Sequence, residues 1–223
     1  MTDAHCHVTG GDPSVREFLI GRDFIGVHPW DAREQGTGNR EQELGELSRR
    51  LQVDSQLGVG EIGLDRLKER TISNRMRETF ESQLKLAAAF HRPVVLHGAK
   101  CWGQVVSTIR RLFPVPCSLF PVPSFLFHGF SRSDGLIPDI VALNGFISVG
   151  PAVLNDHAVN YRELVKKIPI DRLLLETDRT PENAAECPGI RDVAAAVATY
   201  RNMSFAELER ITDENAERFL NLI

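Results

Sequence analysis

The sequence predicts an α/β fold built as a (β/α) barrel, and three observations lead there. Short apolar runs alternate with stretches of helical periodicity along the whole chain, the pattern of a parallel sheet with right-handed crossovers. Ionisable side chains follow at least five of those runs. A closed barrel gathers such strand ends on one face, whereas an open doubly wound sheet spreads them along a line. The chain of 223 residues is long enough for one sizeable core.

Taken in order, the first element is "DAHCH" at 3–7. Residues i and i+2 of a strand point to one face, so His5 and His7 converge, and Cys6 points away as a buried core thiol. Residues 24–27 read as a strand that runs into His28. Leu44, Leu47 and Leu51 share one helix face, and residues 57–59 form the next strand, followed by Gly60 and Glu61. Met76, Phe80, Leu84 and Ala88 step by four along a helix that stops near Arg92, because Pro93 follows. Strand 93–96 runs into His97, strand 125–127 into His128, and strand 173–175 into Glu176, Thr177 and Asp178. A further strand covers 146–149, and helices are expected over 102–112, 156–167, 191–201 and 205–222. Gly58-x-Gly60-x-x-Gly63 matches a dinucleotide fingerprint in form only. Glu61 lies inside it, and Leu64-Asp65-Arg66 does not open a hydrophobic helix. Close backbone packing at the barrel rim is the expected role of these glycines.

Composition sets the outer limits. With 42% hydrophobic and 25% charged residues, and no linker or repeat, residues 1–223 read as a single domain. A net charge of −4 argues against a broad basic surface for long duplex DNA, but leaves room for a compact phosphate site. The four cysteines, Cys6, Cys101, Cys117 and Cys187, form no CxxC, and no signal peptide is read, so a reduced, cytoplasmic compartment is expected. The apolar runs are too short for a membrane span. Nothing in the sequence sets the oligomeric state.

Four imidazoles (His5, His7, His97, His128) and two carboxylates (Glu61, Asp178) exceed the needs of one structural zinc. They suit two divalent ions about 3.5–4 Å apart, with Glu61 bridging. Such a pair activates water near neutral pH, which points to hydrolysis, most naturally of a phosphate ester. Mixed His/carboxylate ligation fits Zn²⁺, Mn²⁺ or Fe²⁺, with Mg²⁺ less natural beside imidazole.

His5-x-His7, "GVHPW" at 26–30, "GEIGLD" at 60–65, "VVLH" at 94–97, "FHGFS" at 127–131, "LLLETD" at 173–178 and "NAERFL" at 215–220 together resemble, in order, the TatD-type metal-dependent hydrolases. The resemblance covers nearly the whole chain and implies a distorted TIM barrel. It also implies metal-dependent DNA hydrolysis, often exonucleolytic, with DNA or a small phosphodiester as partner. Carried over by position, His5, His7, Glu61 and Asp178 would hold one metal ion, and Glu61, His97 and His128 a second (Zn, Mn or Mg). Asp178 would also be the base for a metal-bridged hydroxide. Residues 8–26 are shorter than the corresponding stretch in that family. The first helix is therefore expected to be missing and the second strand abbreviated near 17–20, with exposed apolar surface that the chain itself or a second subunit would cover.

The expected substrate contacts are His28, at the end of its own strand, and Lys100, Arg132 and Arg179, each close to a ligand in sequence. Lys100 follows Gly98-Ala99 where the family commonly has Ser-Arg, Arg132 replaces a small residue, and Arg179-Thr180-Pro181 stands where it commonly has Ala-Pro. Asp65 is expected to orient a ligand imidazole or to cap the next segment. His91 and His157 read as surface groups. The alternatives are an amide or lactone hydrolase that uses the same hydroxide on a carbonyl, and a non-enzymatic metal-binding relative.

Overall fold

A computed structural model describes residues 1–32, 39–68, 70–114 and 122–221, so Cys117 lies outside the described residues. Eight strands follow in chain order: β1 (Thr2–Cys6), β2 (Arg16–Leu19), β3 (Phe24–Ile25), β4 (Gly58–Asp65), β5 (Val94–Ala99), β6 (Phe125–Phe127), β7 (Gly145–Val149) and β8 (Leu173–Leu175). The helices are α1 (Arg40–Val53), α2 (Asn74–Ala89), α3 (Trp102–Leu112), α4 (Ile137–Ala142), α5 (Val159–Lys167), α6 (Ile190–Tyr200) and α7 (Phe205–Phe219). All strand pairs are parallel, in two sheets: β1-β2, and β3 through β8 in sequence order.

This is a TIM-like arrangement with two seams. At one, a single parallel bridge joins Ile20 to Phe24. At the other, Asp178 N–H donates to the His5 carbonyl at 3.0 Å. The Asp3 carboxylate there accepts from Thr177 N–H at 3.0 Å and from its hydroxyl at 2.6 Å. Bonds from a side chain and a loop thus stand where a β8–β1 ladder would close a regular barrel.

Local chemistry explains the elements. The Ser73 hydroxyl caps α2 by accepting from Met76 N–H, and Met76, Phe80, Leu84 and Ala88 turn inward from it. Ser204 caps α7 in the same way, through Glu207 N–H. The helix expected from residue 156 starts only at Val159, because the Asn155 carboxamide accepts His157 N–H at 2.9 Å and holds a turn there. α7 ends at Phe219, short of the expected 222.

No helix separates β1 from β2, as expected, and none separates β2 from β3, where residues 20–23 leave no room for one. The chain itself covers this flank. Phe219 of α7 lies 5.8 Å from Phe24, 6.4 Å from Phe18 and 6.0 Å from Phe146, ring centre to ring centre. These rings join Ala4, Val95, Leu126 and Leu174 in one buried cluster. Arg16 pairs with Glu217 across the same contact. Among the described residues, none of the exposed large apolar side chains falls within 8–26.

The rim glycines are steric. Gly63 has φ +154°, and a Cβ there would lie 1.9 Å from the His97 carbonyl oxygen. Gly63→Ala should cost about 3 kcal/mol or more through backbone displacement, which lowers Tm by roughly 6–12 °C for a chain of this size. Gly103→Ala, at an α3 position with nothing within 4 Å, should leave Tm unchanged or raised. Equal melting of Gly63→Ala and wild type would remove this account of the β4–β5 contact. Among the described residues, no helix is long and apolar enough to cross a membrane.

Candidate metal centre

The carboxyl halves of the strands and the turns after them bring the candidate ligands together, with Glu61 inside β4, which runs on to Asp65, and not after a strand ending at 59 as expected. His5 ends its ring 3.4 Å from Asp178 Oδ1 and 3.7 Å from Glu61 Oε2, measured from Nε2. His7 Nε2 is 3.7 Å from each of the same two oxygens. On the other oxygen of Glu61, His97 Nδ1 lies at 2.5 Å and His128 Nε2 at 2.8 Å. Glu61 is therefore central, with Oε2 facing one pair of histidines and Oε1 the other. It is buried, and β4 carries it in a strand buried along its whole length.

The donor set fits divalent ions, and unsatisfied atoms make the point. His5 is fully buried, yet neither of its ring nitrogens has a hydrogen-bond partner among the described residues. An orphaned buried nitrogen costs about 1–3 kcal/mol. A cation between Nε2 and the oxygens of Glu61 and Asp178 would remove that cost for Nε2. His97 gives a second argument. Asp65 is buried, and its Oδ2 lies 2.8 Å from His97 Nε2. An ionised carboxylate only accepts, so Nε2 carries the proton and Nδ1 turns a lone pair toward Glu61. Two lone pairs facing each other require a proton or a metal ion between them.

Electrostatics agree with that reading. Burial opposes ionisation of Glu61, but the imidazoles of His128, His28 and His97 outweigh it and hold the carboxyl well below its ordinary range. Burial likewise opposes a charge on His128, but Glu61 and Glu176 together drive its proton affinity up. Asp178 is held below the usual carboxylate range: burial raises it, and His5 and His128 together lower it by more. These are sites that attract positive charge. Asp178 has a left-handed backbone, φ 49°, and a half-exposed side chain at the edge of the open cleft.

That cleft has a volume of about 960 Å³, and Asp178, Glu176, Arg132, His157 and Asn183 are among the residues that line it. Of the expected substrate contacts, Arg132 faces this space. His157, expected as a plain surface group, is exposed on its wall; His91 is exposed outside it. His28 reaches the centre itself, with Nε2 3.6 Å from Glu61 Oε1. Gln83 pins the segment before it, accepting from Val27 N–H at 2.6 Å and donating to Val27 O at 3.1 Å. Arg179 does not face the cleft. Its guanidinium donates to the carbonyls of Ala184 at 2.6 Å and Cys187 at 3.0 Å, which commits it to the loop after β8. Lys100 is exposed at the end of β5 in a left-handed conformation and does not line the cleft. Asp65 does both things expected of it: it holds His97, and it accepts from Leu67 N–H at 2.6 Å.

Two buried acids at the centre had no role assigned from sequence. Glu176 accepts from Ser148 Oγ at 2.6 Å and Gly129 N–H at 2.8 Å, and ties the rims of β6, β7 and β8 beneath His128. Asp3 ties Thr177, and so the base of Asp178, to β1. The available signals were the acid pair around Thr177 and the i, i+2 spacing of Asp3 from His5.

Three comparisons bear on this centre. The family model described as TatD related DNase matches residues 21–221. An uncharacterized metal-dependent hydrolase, YabD of Bacillus subtilis, is 28% identical over 205 residues, covering 89% of this chain and 76% of the relative. A protein named 3'-5' ssDNA/RNA exonuclease TatD, from Edwardsiella piscicida, is 26% identical over 209 residues, covering 88% and 76%. Among solved structures, the TatD homologue YjjV of Escherichia coli superposes with a TM-score of 0.74 at 24% identity, over 95% of this chain and 78% of that one.

Proposed function

This chain belongs to the TatD related DNase family and is a metal-dependent hydrolase; from that premise we propose that it cleaves phosphodiester bonds in single-stranded nucleic acid, in a single domain, at two divalent ions. The observation that carries the reading is the division of labour at Glu61, whose two oxygens each face their own pair of imidazoles. His5, His7, Glu61 and Asp178 would hold one ion, and Glu61, His97 and His128 the other, with His28 at the edge of the second.

Divalent ions bound there would supply Lewis acidity and lower the pKa of a water into the neutral range. The side chains do the rest. Asp178, ionised and half-exposed, takes the proton from the attacking water and passes it to solvent through the cleft. Asp65 keeps His97 in one tautomer and orientation. Glu176 and Ser148 keep the loop under His128 in place. Arg132, at the cleft wall, faces the position where a neighbouring phosphate would lie.

Protein reloaded with Mn²⁺, Zn²⁺ or Mg²⁺ and desalted should carry close to two ions per chain by elemental analysis. A ratio that stays well below one with every metal would remove the reading. Activity is tested on a single-stranded oligonucleotide labelled at either end, with a simple lactone alongside. Cleavage of the oligonucleotide supports the proposal, and the labelled end reports polarity. Lactone turnover without nucleic-acid cleavage would move the chain to carbonyl chemistry.

A further inference from the structure

The cleft takes in Asp178, Glu176 and Arg132 but not His28, His97 or Trp30. Those three rings meet one another on the Oε1 side of Glu61. His28 lies 4.9 Å from Trp30 and 4.9 Å from His97, ring centre to ring centre, and Trp30 lies 6.4 Å from His97. A phosphodiester held over Glu61 has a nucleoside on each side. One would enter the cleft, and the other would meet the Trp30 edge.

Trp30 is held in place yet partly exposed. Its indole N–H donates to Asp65 Oδ2 at 2.9 Å, the same oxygen that contacts His97 Nε2 at 2.8 Å. That acceptor is 1% exposed, whereas Trp30 itself is 37% exposed. A buried carboxylate therefore sets the orientation of an exposed indole relative to a candidate metal ligand. The exposed Lys68 holds its ammonium 3.4 Å from the centre of the Trp30 ring. In solvent such a cation–π contact is weak and its stem is flexible, so Lys68 can yield the ring to a better partner and keep its charge near a phosphate.

We propose that Trp30, flanked by Lys68, is the stacking platform for a nucleobase next to the scissile phosphate. The inference rests on the nucleic-acid reading above. Every base has a π-face, so stacking is indifferent to sequence. A base reaches an indole only when it is free of its duplex neighbours. The platform therefore selects single strands and gives a lactone or a bare phosphodiester nothing to bind.

The chain has two tryptophans, and Trp102 is buried in α3. In a Trp102→Phe background Trp30 is the sole indole emitter. The probe is a ten-nucleotide oligothymidylate, with an abasic strand of equal length and charge beside it. Asp178→Asn in the same chain, loaded with Mg²⁺, blocks turnover. Fluorescence anisotropy of a labelled strand reports binding, and tryptophan emission reports stacking. The expected result is quenching of Trp30 by the oligothymidylate and none by the abasic strand.

In the otherwise native protein, Trp30→Leu should raise KM for the oligonucleotide roughly tenfold with kcat little changed. Trp30→Phe should recover part of that loss. This comparison also serves if Trp102→Phe does not fold. Strand binding without quenching, equal quenching by both strands, or an unchanged KM in Trp30→Leu overturns the platform while leaving the nuclease reading intact. A wild-type protein that neither binds nor cleaves any oligonucleotide overturns both.

Discussion

Asp178→Asn is expected to reduce turnover of a single-stranded oligonucleotide by roughly 10²–10⁴-fold, the range for loss of a positioned general base. The substitution keeps the size of the side chain and one oxygen toward His5, but removes the charge and the basicity. His97, His128 and Glu61 are untouched, so the second ion should remain and added Mn²⁺ should not rescue activity. His97→Ala gives the contrast. It removes a donor at Glu61 Oε1, so its loss should recover in part with excess Mn²⁺. Arg132→Ala serves as the control for phosphate binding, since Arg132 faces the cleft and Arg179 is tied to loop carbonyls. It should raise KM for a phosphodiester more than for a neutral lactone. Near wild-type turnover by Asp178→Asn on any good substrate would end its assignment as the base.

Glu61→Gln should have an effect of a different kind. The amide has no charge to share between two ions, and its NH₂ turns donors toward rings that now point lone pairs or shared protons at Glu61. Metal content should fall from near two ions per chain to below one. Lewis-acid stabilisation is worth several kcal/mol, and each ~1.4 kcal/mol is tenfold in rate, so activity should fall on the order of 10³-fold or more. Circular dichroism and elemental analysis on the same sample separate metal loss from unfolding. A folded Glu61→Gln protein that still holds two ions would show that Glu61 does not bridge them.

The amino-acid sequence by itself determined the strands and most of the helices, because burial period and proline position are local properties of the chain. The run into Pro93 ended α2, and the stepping of Met76, Phe80, Leu84 and Ala88 set its buried face. It also determined which side chains meet. In a parallel barrel every strand delivers its carboxyl end to one rim, so a histidine or acid after an apolar run has its position decided by topology alone. His5, His7, Glu61, His97, His128 and Asp178 were legible on that ground. The missing first helix was legible too, since so short a stretch from residue 8 to 26 cannot hold one beside a strand.

Only the tertiary structure decided what each polar group around that ring does. Asp3 and Thr177 are 174 residues apart and meet at the seam of β1 and β8, a contact that no window of sequence contains. Arg179 follows a candidate ligand directly, yet its long side chain reaches the carbonyls of Ala184 and Cys187 instead of the cleft. The left-handed turn at Asp178 and the path of the following loop fix that direction. Trp30 reads as one more apolar residue beside a proline until Asp65, fixed at the end of β4, accepts its indole N–H. The cover over the shortened flank comes from Phe219, at the far end of the chain. Periodicity and residue type specify which face of an element is buried, but the partner of a polar side chain on a loop depends on which distant segment the barrel-like fold brings beside it.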